Sequence, residues 1–184
     1  MWATAFYAGL RRGELRALRC DDINDASTLI TVRRGWDDVE GEIGPKSRKG
    51  TRTVPIAGTL RLILLEHLAR TGRRGTDLVF GRSASEPFTP THVRKLAREA
   101  WGTAKLKPIG LHEARHTYVT LMHAAGRSLE EIGDYVGHSS TYMTDRYRHL
   151  LEGQREQAAD AFDAYLAKAS STVGAVLEPG VRSN

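Results

Sequence analysis

The most constraining feature of this 184-residue sequence is the segment LHEARHTY at residues 111–118. Apolar residues recur at helical spacing through it and beyond, which predicts an amphipathic helix with one face in a core. His112, Arg115 and His116 fall at positions i, i+3 and i+4, so they share another face of that helix. A guanidinium and two imidazoles near a helix N-terminus, where backbone N–H groups and the dipole favour an anion, indicate a phosphate site. The residues expected to face the core are Leu111, Ala114, Tyr118, Leu121, Met122 and Ala125.

The same segment also matches H-E-x-x-H, the pattern of zinc proteases. Arg115 would place a fixed positive charge beside a ligand of a dication, which is electrostatically costly. Val119 and Met122 stand where the extended pattern has its glycine and third histidine. A distal glutamate ligand, Glu130 or Glu131, stays open, so a zinc hydrolase is carried as an alternative, beside the simplest interpretation of a solvated polar helix face.

The charge of the chain is positive and unevenly distributed. The net charge is +5 and the pI about 9.6. Residues 1–151 hold 24 basic against 17 acidic residues (net +7), whereas residues 152–184 hold 3 against 5 (net −2). A basic body with a non-basic tail favours a polyanionic partner. Cys20 is the only cysteine, which excludes an internal disulfide and a cysteine-based zinc site.

The pattern of apolar residues predicts a mainly α chain with a small antiparallel β-sheet or hairpin, an α+β fold. No apolar run approaches the roughly 18 residues of a membrane span, and no signal peptide is apparent, so we expect a cytoplasmic protein.

Two short segments separated by glycines near Gly126 and Gly137 are also typical of a helix-turn-helix, which makes a non-catalytic DNA-binding module another alternative. Strands are expected at 29–33 and 52–56, with a basic hairpin tip at 42–51, and helices at 59–70, 90–104, 128–136 and 156–168.

Four separated motifs add a second kind of information, because they occur in a fixed order. They are GLRRGEL at 9–15, PKS at 45–47, HEARHT at 112–117 and VGHSS at 136–140, the last followed by Tyr147. Together they resemble the catalytic domain of the tyrosine recombinases, the phage integrase family. The resemblance covers residues 7–149, and four motifs in register are far more specific than any one of them.

The resemblance implies metal-free and cofactor-free DNA strand cleavage and rejoining. Arg11 and Arg115 would bind the non-bridging oxygens of the scissile phosphate, and His138 would add a third contact. Tyr147, nine residues after His138, would attack phosphorus and form a 3′-phosphotyrosyl link. Tyr142 is the rival nucleophile, at a spacing of four.

The remaining site residues follow from the same resemblance. His112 would take the tyrosine proton or contact the phosphate, and Lys46 would protonate the departing 5′ oxygen. Lys49 is the alternative to Lys46 on the same loop. Glu14 and His116 would support the site by orienting their neighbours.

The family also suggests an organisation and a set of partners. Residues 1–169 are expected to form the catalytic domain, N-terminally truncated and without the family's core-binding domain, and residues 170–184 a flexible tail. The expected partner is double-stranded DNA, bound by a homotetramer on paired sites, with weak association or monomers in its absence. The helix at 156–168 would dock in cis or in trans. A type IB topoisomerase shares this chemistry and is a further alternative to site-specific recombination.

Overall fold

The computed structural model describes residues 1–44, 51–138, 142–143 and 145–147. The chain divides into two compact units, Met1–Met143 and Thr144–Asn184; in the second, only Asp145–Tyr147 is described, and it is helical. The described helices and strands of the first unit are α1 (Trp2–Ala8), α2 (Arg12–Ala17), β1 (Leu29–Val32), β2 (Gly35–Asp37), β3 (Gly41–Ile43), β4 (Arg52–Pro55), α3 (Gly58–Thr71), α4 (Pro90–Thr103), α5 (Leu111–Ala124) and α6 (Leu129–Val136).

The strands form two small antiparallel sheets. Strand β1 pairs with β4, with Ile30 opposite Val54, and β2 pairs with β3. Both Ile30 and Val54 are buried, as expected for β-branched residues on the inner face of a half-buried strand. The predicted fold class, mainly helical with a small antiparallel sheet, is therefore confirmed.

The connection between the outer strands differs from the prediction. We expected residues 42–51 to form the tip of a hairpin, but β2 and β3 make a separate hairpin whose turn lies at residues 38–40. Residues 45–50 therefore follow β3 and precede β4, and they lie outside the described residues. The expected helix at 156–168 and the tail at 170–184 also lie outside them.

The core lies between the β1–β4 sheet and the helices α1, α2, α3 and α5. Helix α1 packs on α5, and Gly9 ends α1 with a φ of 62°. A Cβ at Gly9 would lie 2.4 Å from Cδ1 of Tyr118, so this position needs glycine both for its conformation and for the close approach of the two helices. The segment just before Arg11 is thus fixed directly against α5, the helix that carries the HEARHT motif.

Two apolar residues that we expected in the core, Leu121 on α5 and Ala125 just after it, are exposed instead. Leu96 on α4 and Ile63 on α3, which also fall at helical spacing with apolar residues, are exposed as well. The apolar stripes of these helices are therefore wider than their buried faces. No helix in the described part of the chain combines the length and the apolar character needed to cross a bilayer.

Two leucines of α3 test this description of the core. Leu60 is 0% exposed and Leu62, on the same helix, is 70% exposed. We expect Leu60→Ala to lower the free energy of unfolding by about 2–5 kcal/mol, because it leaves a cavity, whereas Leu62→Ala changes it by about 0.5 kcal/mol or less. Urea unfolding followed by circular dichroism measures both, and equal losses would contradict the placement of α3.

Candidate phosphate-binding site

Arg11 is held at the start of α2, where it serves as the N-cap residue. Its backbone N–H donates to Glu14 Oε2 at 2.7 Å, and its Nη1 donates to Glu14 Oε1 at 3.0 Å. Its Nη2 donates to the carbonyl oxygen of Gly137 at 2.9 Å, 126 positions along the chain. The side chain is nevertheless 43% exposed, so the guanidinium is oriented by two partners and still faces solvent.

Arg115 is the buried counterpart of Arg11, with only 3% of its surface exposed. Its Nη1 donates to the carbonyl of Gly9 and its Nη2 to the carbonyl of Val136. Gly9 follows the last residue of α1 and Val136 is the last residue of α6. Carbonyls at a helix C-terminus lack intrahelical donors and carry the negative end of the dipole, so they are natural partners for a guanidinium.

His138 comes next to Arg115 through the turn that ends α6. Gly137 has a φ of 66°, and His138 N–H then donates to the carbonyl of Gly133 at 3.0 Å. Its Nε2 lies 3.1 Å from Nη2 of Arg115. A guanidinium has donors only, so Nε2 accepts this bond and the ring proton sits on Nδ1, which has no partner among the described residues.

Burial, followed by the charges of Arg115, Arg11 and Arg52, lowers the pKa of His138 to about 4. The ring is therefore neutral at pH 7. The sequence suggested His138 as a donor to phosphate, but in this arrangement its Nε2 is an acceptor. An anion that replaces it as the partner of Arg115 would free Nε2 and favour its protonation.

Glu14 connects Arg11 to a third arginine that we did not predict, Arg52. Arg52 donates from Nη1 and Nη2 to the two carboxylate oxygens of Glu14 at 2.8 and 2.7 Å, and its Nε donates to the carbonyl of Tyr135 at 2.6 Å. Burial alone would raise the pKa of Glu14, but the hydrogen bonds and charges of Arg52, followed by those of Arg11, lower it to about 2. The carboxylate is ionised throughout the physiological range.

A signal for Arg52 was present in the sequence. Strand β4 alternates, with Arg52 and Val54 buried and Thr53 exposed. An arginine in phase with buried residues of a strand requires a buried anionic partner. Local sequence cannot say which carboxylate is that partner, because Glu14 lies 38 positions away.

His112 and His116 form a pair one helical turn apart on α5. Their Nε2 atoms lie 3.0 Å from each other, and the rings meet edge to face at 4.5 Å between centroids. Both histidines lie within three residues of Arg115 on α5, so the pair is close to that arginine. Glu113 turns away and accepts from the backbone N–H of Gly110 at 3.0 Å, as a helix cap.

The zinc interpretation finds little support in this geometry. Among residues 1–44, 51–138 and the few described beyond them, no three His, Cys, Asp or Glu side chains meet as a metal site requires. Glu113, the would-be general base of the pattern, is used as a cap instead.

Two predicted site residues are not placed by these contacts. Lys46 and its alternative Lys49 lie outside the described residues. Tyr147 is helical and belongs to the second unit. Tyr142, the rival nucleophile, belongs to the first unit, where its ring lies edge-on to His138 at 4.5 Å.

A cavity of about 550 Å³ opens beside the start of α5. His112 lines it, together with Arg12, Arg94 and Arg98, so it combines positive charge with direct access to the histidine pair. Its apolar wall includes Trp2 and Trp101, whose rings meet edge to face at 6.0 Å. Basic and aromatic side chains side by side suit a nucleic acid backbone with its sugars and bases.

Comparison with solved structures supports the fold. A Tn1549 transposon integrase, solved with transposon right end DNA, has a TM-score of 0.67 at 19% identity and covers 85% of this chain and 57% of that one. The XerA recombinase has a TM-score of 0.65 at 24% identity, with 85% and 56% covered. The predicted tyrosine recombinase catalytic-domain fold is thereby confirmed.

Sequence comparison identifies the family. The ICEBs1 integrase of Bacillus subtilis is 29% identical over 178 residues, which cover 90% of this chain and 48% of that protein. A XerC-like tyrosine recombinase of Caldanaerobacter subterraneus is 26% identical over 190 residues, with 89% and 48% covered. The chain thus spans about half the length of these curated relatives. Because the phage integrase family model matches residues 1–154, the chain belongs to the phage integrase family, that of the tyrosine recombinases.

Proposed function

We propose that this chain is the catalytic domain of a site-specific DNA recombinase, which cuts and rejoins DNA through a 3′-phosphotyrosyl intermediate without a cofactor. One observation carries the proposal: Arg11 before α2 and Arg115 on α5 both bind the turn that ends α6 and carries His138. The relatives are integrases and recombinases by name, and the Tn1549 integrase was solved on DNA.

The arginines supply the electrostatic part of the mechanism. Nucleophilic attack on a phosphodiester places extra negative charge on the two non-bridging oxygens in the transition state. Arg11 faces solvent and can take one oxygen directly. Arg115 can take the other by exchanging its contact with His138 Nε2 for a phosphate oxygen, whereas its bonds to backbone carbonyls keep it oriented.

The bond changes then balance without any added reactant. The Tyr147 oxygen forms a bond to phosphorus as the bond to the 5′ oxygen breaks. The tyrosine proton passes to His112 or to the phosphate, and Lys46 gives a proton to the departing 5′ oxygen. The reverse attack by a 5′ hydroxyl reseals the strand, and the phosphotyrosyl link conserves the bond energy in the meantime.

The surroundings of the site favour duplex DNA as the substrate. The cavity beside α5 brings Arg12, Arg94 and Arg98 to the flank of His112, which extends the positive charge away from the reacting phosphate. Such contacts position the backbone without reading its sequence. Strand exchange requires two duplexes, and four copies of the chain on paired sites would supply one nucleophile for each strand.

The nucleophile is tested with a nicked DNA substrate that traps covalent adducts. We expect the wild-type protein to form an SDS-resistant protein–DNA adduct and Tyr147→Phe to form none, because a phenyl ring has no attacking oxygen. Tyr142→Phe is the matched control and should still form the adduct. An adduct with Tyr147→Phe would contradict the assignment, and a wild type that binds DNA without any adduct would favour the non-catalytic module.

The role of Lys46 is tested by changing the leaving group. We expect Lys46→Ala to slow cleavage of a normal 5′-oxygen substrate by about 10²–10⁴-fold, because the departing alkoxide is no longer protonated. A 5′-bridging thiolate leaves without a proton, so the same variant should cleave it nearly as fast as wild type. Lys49→Ala is the control and should slow neither substrate. Equal slowing of both substrates by Lys46→Ala would rule out a general acid.

If a phosphate oxygen replaces His138 Nε2 as the partner of Arg115, the pKa of His138 should change. Phosphate binding adds negative charge beside the ring and favours its protonated form, so the pKa should rise from about 4 towards 6.5 in the DNA complex. NMR titration of ¹³C-labelled histidines with and without duplex measures it. His67, whose pKa is also lowered by burial, contacts the carbonyl of Val79 outside the site and should not change. An unchanged His138 in DNA-bound protein would mean that phosphate does not displace it.

A further inference from the structure

Arg52 is an internal cation of the site. It is buried, and each of its three guanidinium nitrogens has a protein partner: two meet the carboxylate of Glu14 and the third meets the carbonyl of Tyr135. The side chain is only 6% exposed, so it offers almost no surface to a substrate. Whatever Arg52 contributes, it therefore contributes through the residues that it holds.

We propose that Arg52 is a positioning residue of the phosphate site, which fixes Arg11 through Glu14 and the end of α6, with His138, through the Tyr135 carbonyl. The proposal rests on the proposed function, because it concerns how that same site is kept in its reactive geometry.

The first step of the argument is the shared carboxylate. Oxygen Oε1 of Glu14 accepts from both Arg11 Nη1 and Arg52 Nη1, and Oε2 accepts from the Arg11 backbone and Arg52 Nη2. Arg52 therefore occupies one of the two hydrogen-bond acceptor directions at each carboxylate oxygen. This keeps Glu14 from turning fully towards Arg11, whose remaining surface is directed to solvent. Without Arg52, the carboxylate is free to rotate towards Arg11 and to hold it more tightly.

The second step is the turn after α6. A Cβ at Gly137 would lie 3.3 Å from Arg52 Nη1 and 3.5 Å from Arg11 Nη1, so the backbone of this turn packs against both guanidiniums. Arg52 also holds the turn from the preceding residues through the carbonyl of Tyr135. The same turn gives the Val136 carbonyl to Arg115 and leads to His138. One side chain thus supports the partners of both substrate-facing arginines.

The third step is the position of Arg52 in the sequence. It is the first residue of β4, and the segment that carries Lys46 ends two residues earlier. Strand β4 is paired with β1 in the core sheet, so Arg52 connects that sheet to α2 and α6. A lysine could replace it only in part, because an ammonium lacks the planar fork that binds a carboxylate with two parallel bonds while a third donor reaches a carbonyl.

The test measures single-turnover cleavage of the trapping substrate at saturating DNA, together with DNA affinity. We expect Arg52→Met to reduce the cleavage rate by about 10–100-fold, as is typical of residues that orient catalytic ligands, with little change in affinity. Arg52→Lys should restore part of the rate. Arg52→Met combined with Glu14→Gln should be little worse than the single variants, because both substitutions break the same contact.

Arg73→Met provides the matched structural control. Arg73 also donates three bonds, to the carbonyls of Leu78, Val79 and Gly81, but it lies outside the site. It should lower thermal stability without lowering the rate of the folded fraction. Equal rate losses for Arg73→Met and Arg52→Met, or an unchanged rate for Arg52→Met, would overturn the proposal alone. A wild-type protein that forms no adduct would contradict the proposed function, and the role of Arg52 with it.

Discussion

The bonds from Arg115 to the carbonyls of Gly9 and Val136 are the constraint on which the rest of the site depends. A buried guanidinium is costly unless its donors are satisfied, and helix ends carry carbonyls that lack donors. The carbonyls therefore accept from the donors of Arg115, and Arg115 supplies the donors that the carbonyls lack. As a result, α1 and α6, which are distant in sequence, both end beside Arg115. Arg11 follows the end of α1 and His138 follows the end of α6, so both residues lie near it.

The close approach of several cations is possible because of one buried carboxylate. Arg11 and Arg52 share Glu14, whose pKa of about 2 keeps it ionised, and Arg115 binds the same turn as Arg11, at Val136 beside Gly137. Three positive charges with one negative charge leave an excess that an anion can neutralise. If that anion is a phosphate, as we propose, these groups are already in place before it binds, which is the condition for electrostatic stabilisation without reorganisation.

The motifs of the sequence named Arg11, Arg115 and His138, which the folded chain brings to one turn. The sequence also predicted the fold class and most helices, because these depend on local periodicity. It did not predict the β2–β3 hairpin, whose strands have only three residues each and leave little pattern. Nor did it predict the exposure of Leu121 and Leu96, since periodicity defines an apolar face but not the neighbour that covers it. Arg52 was missed for a related reason: its importance lies in a partner that only the folded chain brings to it.

The unequal burial of Arg11 and Arg115 has a consequence for substitution. Arg115 ties two helix ends together inside the molecule, so its contacts serve the fold whether or not a phosphate is bound. Arg11 is half exposed, and its contacts are to Glu14 and Gly137. A chain that no longer bound phosphate would therefore still need the arginine at 115 to satisfy buried carbonyls, whereas the arginine at 11 could be replaced at less cost to the fold.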